Sequence, residues 1–167
     1  MQINVSQLLR EPVGSSREYR LDEAVDIGEA RGCPVHGKVS LLRTPDGVLT
    51  RFKVTTEVEL GCSRCLSRYG HRLDLKFEEE FVPTVDAVSG APLPPPDEGA
   101  FSIDEHHILD TSDAIRQYAL MAIPMKPLCR DDCAGLCPSC GQNLNEGACG
   151  CPKGQVDPRW SALTKLL

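Results

Sequence analysis

Apolar and polar residues alternate strictly in the middle of this chain, and the alternation predicts antiparallel strands. Between residues 51 and 60 the even-numbered positions are apolar or threonine, while most odd-numbered positions carry a charge. A period of two over about ten residues is typical of a strand with one buried face. Similar alternation covers residues 72–81, and residues 35–43 indicate another strand before a Pro45-Asp46-Gly47 turn. These elements predict an antiparallel meander or a partly open barrel.

Helical patterns accompany the strands, so the expected fold class is α+β with one or two helices in the sheet region. A short helical turn is predicted at residues 5–9. A longer helix is predicted near 111–123, because acids and hydroxyls precede it and Pro124 ends it. Near the C-terminus, Asp157-Pro158 supplies an N-cap acid and an N1 proline. The short amphipathic helix that follows would carry Trp160, Leu163 and Leu167 on one face.

Composition divides the chain near residue 125. Residues 1–125 are predicted to form the antiparallel sheet domain, which includes a Pro-rich linker at 86–100 and the helix near 111–123. Residues 126–167 are predicted to form a Cys-rich zinc module that ends in the short C-terminal helix. A length of 167 residues fits one domain with a small appended module.

Cysteine spacing is the strongest chemical signal. Six of the nine cysteines lie after residue 126, separated by one to eight residues, and Cys62 and Cys65 form a further C-x-x-C pair. These spacings are typical of zinc knuckles, and a reducing cytosol favours metal binding over disulfides. Two tetrahedral four-cysteine sites need eight thiols. Cys33 is then left over and is expected to be buried or idle.

Two groupings of the eight thiols are compatible with the sequence. The favoured one joins two close pairs through a segment long enough for a small hairpin, and brings the other two pairs together. Its members are Cys137, Cys140, Cys149 and Cys151 (set 1), and Cys62, Cys65, Cys129 and Cys133 (set 2). The rival grouping places Cys129 and Cys133 with Cys137 and Cys140. With either grouping we expect one or two Zn²⁺ ions. We expect them to be structural, because four thiolate ligands leave no open coordination position.

A redox role for Cys62 and Cys65 is disfavoured. Redox C-x-x-C pairs lie at the start of a helix, where the helix dipole lowers a thiol pKa. Here the pair lies between two predicted strands, and no helix follows it.

Charge is strongly segregated along the chain. The net charge is −6, which argues against non-specific coating of nucleic acid. Residues 77–125 contain ten acids against Arg116 alone, while cations surround Cys62 and Cys65. These cations either compensate the charge of thiolate sites or face RNA. The candidate nucleic-acid-binding residues are Arg51, Lys53, Arg64, Arg68 and Arg72.

Several functional classes lack support in the sequence. No apolar run reaches the roughly 18 residues of a membrane span, and the N-terminus has no basic leader before an apolar stretch. We therefore expect a cytoplasmic protein with no membrane partner. There is no phosphate-binding glycine loop, nucleophile elbow, HExxH motif or dinucleotide fingerprint. Neither enzyme activity nor a small-molecule substrate is expected.

A series of motifs resembles the YceD family, the large ribosomal RNA accumulation proteins of bacteria and plastids. The motifs are Cys62-Ser-Arg-Cys65-Leu66, Pro124-Met-Lys-Pro-Leu-Cys129, Cys133-Ala-Gly-Leu-Cys-Pro-Ser-Cys-Gly141, Asn143-Leu-Asn145, Cys149-Gly-Cys151 and Asp157-Pro-Arg159. The resemblance implies a role in 23S rRNA accumulation and in assembly of the large ribosomal subunit. The implied partners are large-subunit rRNA or its precursors, a ribosomal protein, or both.

The residues and the resemblance lead to one hypothesis and one alternative. The hypothesis is a non-enzymatic, zinc-stapled protein that supports large-subunit rRNA accumulation by contacting rRNA. The alternative is a zinc-dependent adaptor that binds a ribosomal protein or RNA polymerase and makes no RNA contact.

Overall fold

The computed structural model describes residues 1–151, and the predicted C-terminal helix lies outside them. The described part is built mostly from strands, with two helices. The strands are β1 (Gln2–Asn4), β2 (Ser16–Ile27), β3 (Ala30–Arg43), β4 (Val48–Gly61), β5 (Arg68–Pro83), β6 (Phe101–Ile103) and β7 (Ile108–Asp110). The helices are α1 (Ser6–Arg10) and α2 (Ser112–Ala122). Neither helix of this part has the length and apolar character needed to cross a bilayer.

The strands form one mixed sheet in the order β1-β7-β6-β5-β4-β3-β2, which curls as a half-barrel. Antiparallel pairing joins β2 to β3, β3 to β4, β6 to β7, and β1 to β7. β5 and β6 are parallel, with Phe81 opposite Phe101. A parallel pair needs a long connection, and residues 84–100 supply it. The prediction of an antiparallel sheet with one or two helices is therefore confirmed in part, because the sheet is mixed and its β5–β6 pair is parallel.

Sequence periodicity located most elements but missed β2. The predicted strands at 35–43, 51–60 and 72–81 fall within β3, β4 and β5, and the predicted helix at 111–123 corresponds to α2. In β2 the half-buried Arg17 and the exposed Glu23 stand in the alternate positions that Leu21 and Val25 fill elsewhere, and they interrupt the apolar alternation. The hydrophobic pattern of β2 is consequently too weak to predict a strand by itself.

The chain divides into two compact units. The sheet unit comprises Met1–Leu60 and Tyr69–Met125. The cysteine unit comprises Gly61–Arg68 and the chain from Lys126 onward. The first part of the cysteine unit is the connection between β4 and β5, so neighbouring strands of the sheet lead directly into it.

The core of the sheet unit is a continuous apolar cluster that covers one face of the sheet. An aromatic column runs through it. The Phe52 ring stacks on Phe77 with centroids 4.4 Å apart, and Phe77 stacks on Tyr118 of α2 at 3.9 Å. Aromatic pairs contribute about 0.5–1.5 kcal/mol each beyond area burial. The opposite face of β2–β5 is consequently left to polar and charged side chains.

Candidate metal centre

Set 2 is assembled entirely within the cysteine unit. All four of its sulfur atoms lie within 4.8 Å of one another. The Sγ atoms of Cys62 and Cys133 are 3.8 Å apart, and those of Cys65 and Cys129 are 3.7 Å apart. Three of the four side chains are buried and that of Cys129 is half-buried. The set therefore joins the β4–β5 connection to the segment after α2.

The first knuckle owes its shape to two backbone hydrogen bonds. The Leu66 N–H donates to the Cys62 carbonyl at 2.9 Å, and the Cys62 N–H donates to the Ser67 carbonyl at 2.9 Å. Leu66 adopts the left-handed backbone conformation with φ 60°, and its side chain is 70% exposed. The turn brings the Arg64 N–H to 3.4 Å from the Cys62 sulfur.

The second knuckle repeats this pattern. The Gly141 N–H donates to the Cys137 carbonyl at 2.9 Å, and the Cys137 N–H donates to the Gln142 carbonyl at 2.8 Å. Gly141 stands where Leu66 stands in the first knuckle, with φ 75°. Here glycine adopts the left-handed conformation without the steric cost that a Cβ adds.

Set 1 gathers around this second knuckle. The four sulfur atoms of Cys137, Cys140, Cys149 and Cys151 lie within 4.8 Å of one another. Cys137 is buried, Cys140 is exposed, and the other two are half-buried. The structure thus brings together the two sets that the sequence favours, and the rival grouping is not the one it forms.

Backbone N–H groups stabilise one thiolate in each set. The N–H groups of Cys129 and Cys65 lower the pKa of the Cys62 thiol to about 6. The N–H groups of Cys140 and Ser139 do the same for Cys137, whose pKa is also about 6. Each knuckle therefore presents a thiolate at neutral pH, which is the form that binds a metal.

One further thiol of each set resists ionisation, that of Cys129 in set 2 and that of Cys151 in set 1. Burial, followed by the neighbouring sulfur of Cys65, raises the pKa of Cys129 to about 12. In set 1 the hydrogen bond to Cys140, followed by burial, raises the pKa of Cys151 to about 12. Four thiolates at this spacing repel one another, so full ionisation requires a bound cation.

The donor atoms fit a tetrahedral thiolate site. A Zn–S bond of about 2.3 Å in a tetrahedron separates neighbouring sulfurs by about 3.8 Å. The two sulfur pairs of set 2 match this separation, and all nine cysteines are free thiols. These residues could therefore hold a metal ion in either set, and four sulfur ligands would leave no coordination position for a substrate.

Comparison with known proteins identifies the chain's relatives. Residues 50–167 match the family described as large ribosomal RNA subunit accumulation protein YceD. The chain belongs to the YceD family. The family is named for accumulation of the large ribosomal RNA subunit.

Relatives of this YceD protein occur in bacteria and in a plant. Uncharacterized proteins of Mycobacterium bovis and Mycobacterium tuberculosis are 33% identical over 73% of this chain and 56% of their own length. The chloroplastic YCED homolog 1 of Arabidopsis thaliana, named a large ribosomal RNA subunit accumulation protein, is 26% identical over 81% of the chain and 49% of its own length. The chain thus spans about half the length of these relatives. No solved structure matches it.

Two asparagines of this YceD protein hold the cysteine unit together, and sequence reasoning gave them no role. The Asn145 side chain donates to Cys133 Sγ at 3.3 Å and accepts from the Ala134 N–H at 2.8 Å. Asn143 Oδ1 accepts from both the backbone and the side chain of Asn145, at 3.1 and 2.8 Å. The Asn-Leu-Asn motif was visible in the sequence, but only the folded loop reveals that it reaches set 2.

Arg64 also has a structural contact that its sequence position does not suggest. Its guanidinium donates to the Cys133 carbonyl at 3.0 Å. The exposed cation therefore helps to hold the two halves of set 2, so its substitution would disturb the cysteine unit as well as any surface charge.

The structure distributes the five candidate RNA-binding cations over both units. Arg64 and Arg68 belong to the cysteine unit, whereas the other three belong to the sheet unit. Arg51 pairs with Glu78 at 2.9 Å, and Arg72 pairs with Asp74 at 3.0 Å. Lys53 is exposed and has no ion pair within the described residues. RNA binding by these five residues stays a prediction.

Cys33 belongs to neither set and is on β3 in the sheet unit. Its side chain is 4% exposed, and burial raises the pKa of its thiol. A buried thiol of this kind is a poor nucleophile and behaves as a small apolar side chain.

Proposed function

We propose that this protein is a cytoplasmic, non-enzymatic assembly factor that supports accumulation of large-subunit rRNA, and that two structural Zn²⁺ ions hold its cysteine unit in shape. Sets 1 and 2 would be the ligands, and rRNA or its precursors would be the partner. The observation that carries the proposal is the grouping of eight thiols into two four-sulfur sets in a member of the YceD family.

Zinc is the metal that best suits these ligands. Four thiolates in a tetrahedron favour Zn²⁺ or iron–sulfur chemistry, while Mg²⁺ and Ca²⁺ prefer oxygen. Two C-x-x-C knuckles closed by backbone N–H groups are typical of structural zinc sites. When bound, the ion would supply charge compensation and cross-linking, and surfaces beside the sets would contact the partner.

The experiment tests metal binding and ribosomal role together. Cells that lack the gene would be complemented with wild type, Cys62→Ser, Cys137→Ser, or the control Cys33→Ala, which removes a thiol outside both sets. We expect two zinc ions per chain in the wild type and control, and one in each of the other variants. We also expect the ratio of large- to small-subunit rRNA to fall only with those two variants. Normal rRNA in cells carrying a zinc-depleted variant would contradict the proposal.

The adaptor alternative is favoured by one specific feature, the exposed Leu66 side chain at the tip of the first knuckle. An apolar side chain that is 70% exposed in a strained backbone conformation suits a protein contact better than an RNA contact. Salt separates the two functions. Binding to rRNA would weaken steeply between 50 and 200 mM salt through counterion release, whereas an apolar protein interface would change little.

A further inference from the structure

Three exposed cations form a line across three strands of the sheet unit. The register of β2 and β3 places Arg20 opposite Lys38, and that of β3 and β4 places Lys38 opposite Lys53. All three side chains are exposed, because their positions alternate with those that face the core. Directly opposed residues on neighbouring strands project from the same face of a sheet.

The side-chain contacts between β4 and β5 extend this line to a fourth cation. Thr55 donates to Asp74 at 2.6 Å, and Arg51 donates to Glu78 at 2.9 Å. Lys53 lies midway between Thr55 and Arg51, just as the exposed Lys76 lies midway between Asp74 and Glu78. Lys53 and Lys76 are therefore opposite one another.

These four residues, Arg20, Lys38, Lys53 and Lys76, are named the cationic row. Strands lie about 4.8 Å apart, so the row extends about 15 Å across the sheet.

Among the described residues, only one member of the row forms an ion pair. Lys38 pairs with Glu18 at 2.7 Å, but the other three members have no carboxylate within ion-pairing distance in the described part of the chain. The pKa of Glu18 is lowered first by its hydrogen bond to Lys38 and then also by Lys53 and Arg20. One carboxylate is thus shared by three cations.

The cationic row destabilises the folded sheet, which indicates that it is retained for binding. Like charges directly opposite one another on neighbouring strands destabilise a sheet. The arginines beside the row do not add to its free charge, because Arg51 and Arg72 are paired with Glu78 and Asp74. Unpaired positive charge on this face is consequently concentrated on Arg20, Lys53 and Lys76.

We infer that the cationic row binds the sugar–phosphate backbone of large-subunit rRNA, an inference that rests on the RNA contact of the proposed function. A line of long, flexible cations on an exposed strand face suits regularly spaced phosphates. Three of the four members are lysines, which act as point charges toward phosphate. Contacts of this kind position RNA and carry no base specificity.

The test compares three proteins of matched design. The first variant, Arg20→Gln/Lys53→Gln/Lys76→Gln, removes the unpaired members of the row and leaves the Lys38–Glu18 pair intact. The second, Arg10→Gln/Arg31→Gln/Arg116→Gln, removes the same charge from exposed positions outside the row. The third, Arg20→Lys/Lys53→Arg/Lys76→Arg, keeps every charge. Affinity for a purified large-subunit rRNA transcript would be measured by filter binding between 50 and 300 mM salt.

We expect the row variant to bind on the order of 10- to 100-fold more weakly at low salt. The slope of log affinity against log salt should become shallower by about 0.7–0.9 for each lost phosphate contact. The other two variants should stay within about threefold of the wild type at low salt, since neither removes a phosphate contact. Thermal unfolding should show a midpoint for the row variant no lower than that of the wild type, because repulsion has been removed.

Two results would overturn the inference, and they differ from failure of the proposed function. If the wild type binds rRNA and the row variant binds equally well, the row is not the RNA surface, although the RNA contact stands. If the row variant and its charge-matched control lose affinity equally, net charge explains the binding. If the wild type does not bind rRNA at all, the RNA contact in the proposed function fails, and with it the row.

Discussion

The side-chain amide of Asn145 donates a hydrogen bond to the sulfur of Cys133 across 3.3 Å, although Asn145 lies in the loop between the two halves of set 1 and Cys133 belongs to set 2. The two thiol sets are therefore connected through one side chain. An N–H···S contact of this kind stabilises a thiolate and fixes the ligand's orientation, as outer-shell hydrogen bonds do in metal sites generally.

Substitution of Asn145 should weaken metal binding by set 2. In a Cys149→Ser background, where only set 2 retains four thiols, we expect Asn145→Ala to reduce Zn²⁺ affinity about 10- to 100-fold. Competition with a chromophoric chelator measures this. Gln142→Ala serves as the control, because it alters an exposed side chain in the same loop. Equal affinities of the two variants would show that the Asn145 contact does not support the site.

Glycine at position 66 should stabilise the first knuckle. Leu66 has φ 60°, where a Cβ costs about 1–2 kcal/mol, and its exposed side chain gains little from burial. Glycine also increases the conformational entropy of the unfolded chain, which offsets part of this gain. Leu66→Gly should therefore raise the free energy of unfolding by about 0.5–1 kcal/mol. Denaturant unfolding of the zinc-loaded protein tests this. Ser63→Gly, in the same knuckle but without positive φ, should instead destabilise it, and a similar loss in both variants would refute the strain at Leu66.

The nine cysteines should fall into two classes of thiol reactivity, with the eight members of sets 1 and 2 in one class and Cys33 in the other. In the zinc-loaded protein we expect no rapid reaction with an aromatic disulfide reagent, because bound thiolates are shielded. A strong chelator should expose eight thiols, while Cys33 should react only after denaturation, since it is buried and its pKa is raised. Reaction is followed by absorbance. Rapid reaction of Cys62 and Cys65 before chelation would instead indicate a redox pair.

The hairpin between β2 and β3 should make the protein sensitive to acid through Asp26. This carboxylate accepts from the Gly32 N–H at 2.8 Å and from Arg31 at 2.6 Å, and these bonds lower its pKa. Its contribution to stability is therefore present above the unfolded pKa of about 3.9 and is lost as pH falls through the lower folded pKa. Asp26→Asn should lower the midpoint of thermal unfolding at pH 6, and this effect should shrink as the pH falls below the unfolded pKa.

A matched variant controls for charge in this pH series. Asp97→Asn removes one carboxylate from the segment between β5 and β6, and its midpoint should follow that of the wild type across the range. If Asp26→Asn and Asp97→Asn give the same pH profile, the hairpin carboxylate does not contribute to acid stability.

Period-two alternation was sufficient to predict β3, β4 and β5, because each of these strands buries one face and exposes the other. Ligand counting was sufficient to favour two four-thiol sets, since Cys62 and Cys65 must join the C-terminal cysteines for eight thiols to fill two tetrahedra. By contrast, β2 escaped prediction because Arg17 and the exposed Glu23 interrupt the alternation that Leu21 and Val25 belong to. The role of Asn145 escaped because a hydrogen bond to a sulfur twelve residues away leaves no local pattern.

By itself, the sequence determined the strand alternation, the knuckle spacings and the count of thiols. These features can be read along the chain, and the strands and knuckles that they predict depend on contacts between near neighbours. Tertiary structure decided which thiols meet, and it paired Arg51 and Arg72 with acids while leaving Lys53 unpaired. It also aligned Arg20 with Lys38 and Lys53, which are 18 and 33 residues away along the chain. That alignment depends on strand register, which is set by packing of the buried face and not by the charged side chains on the exposed one.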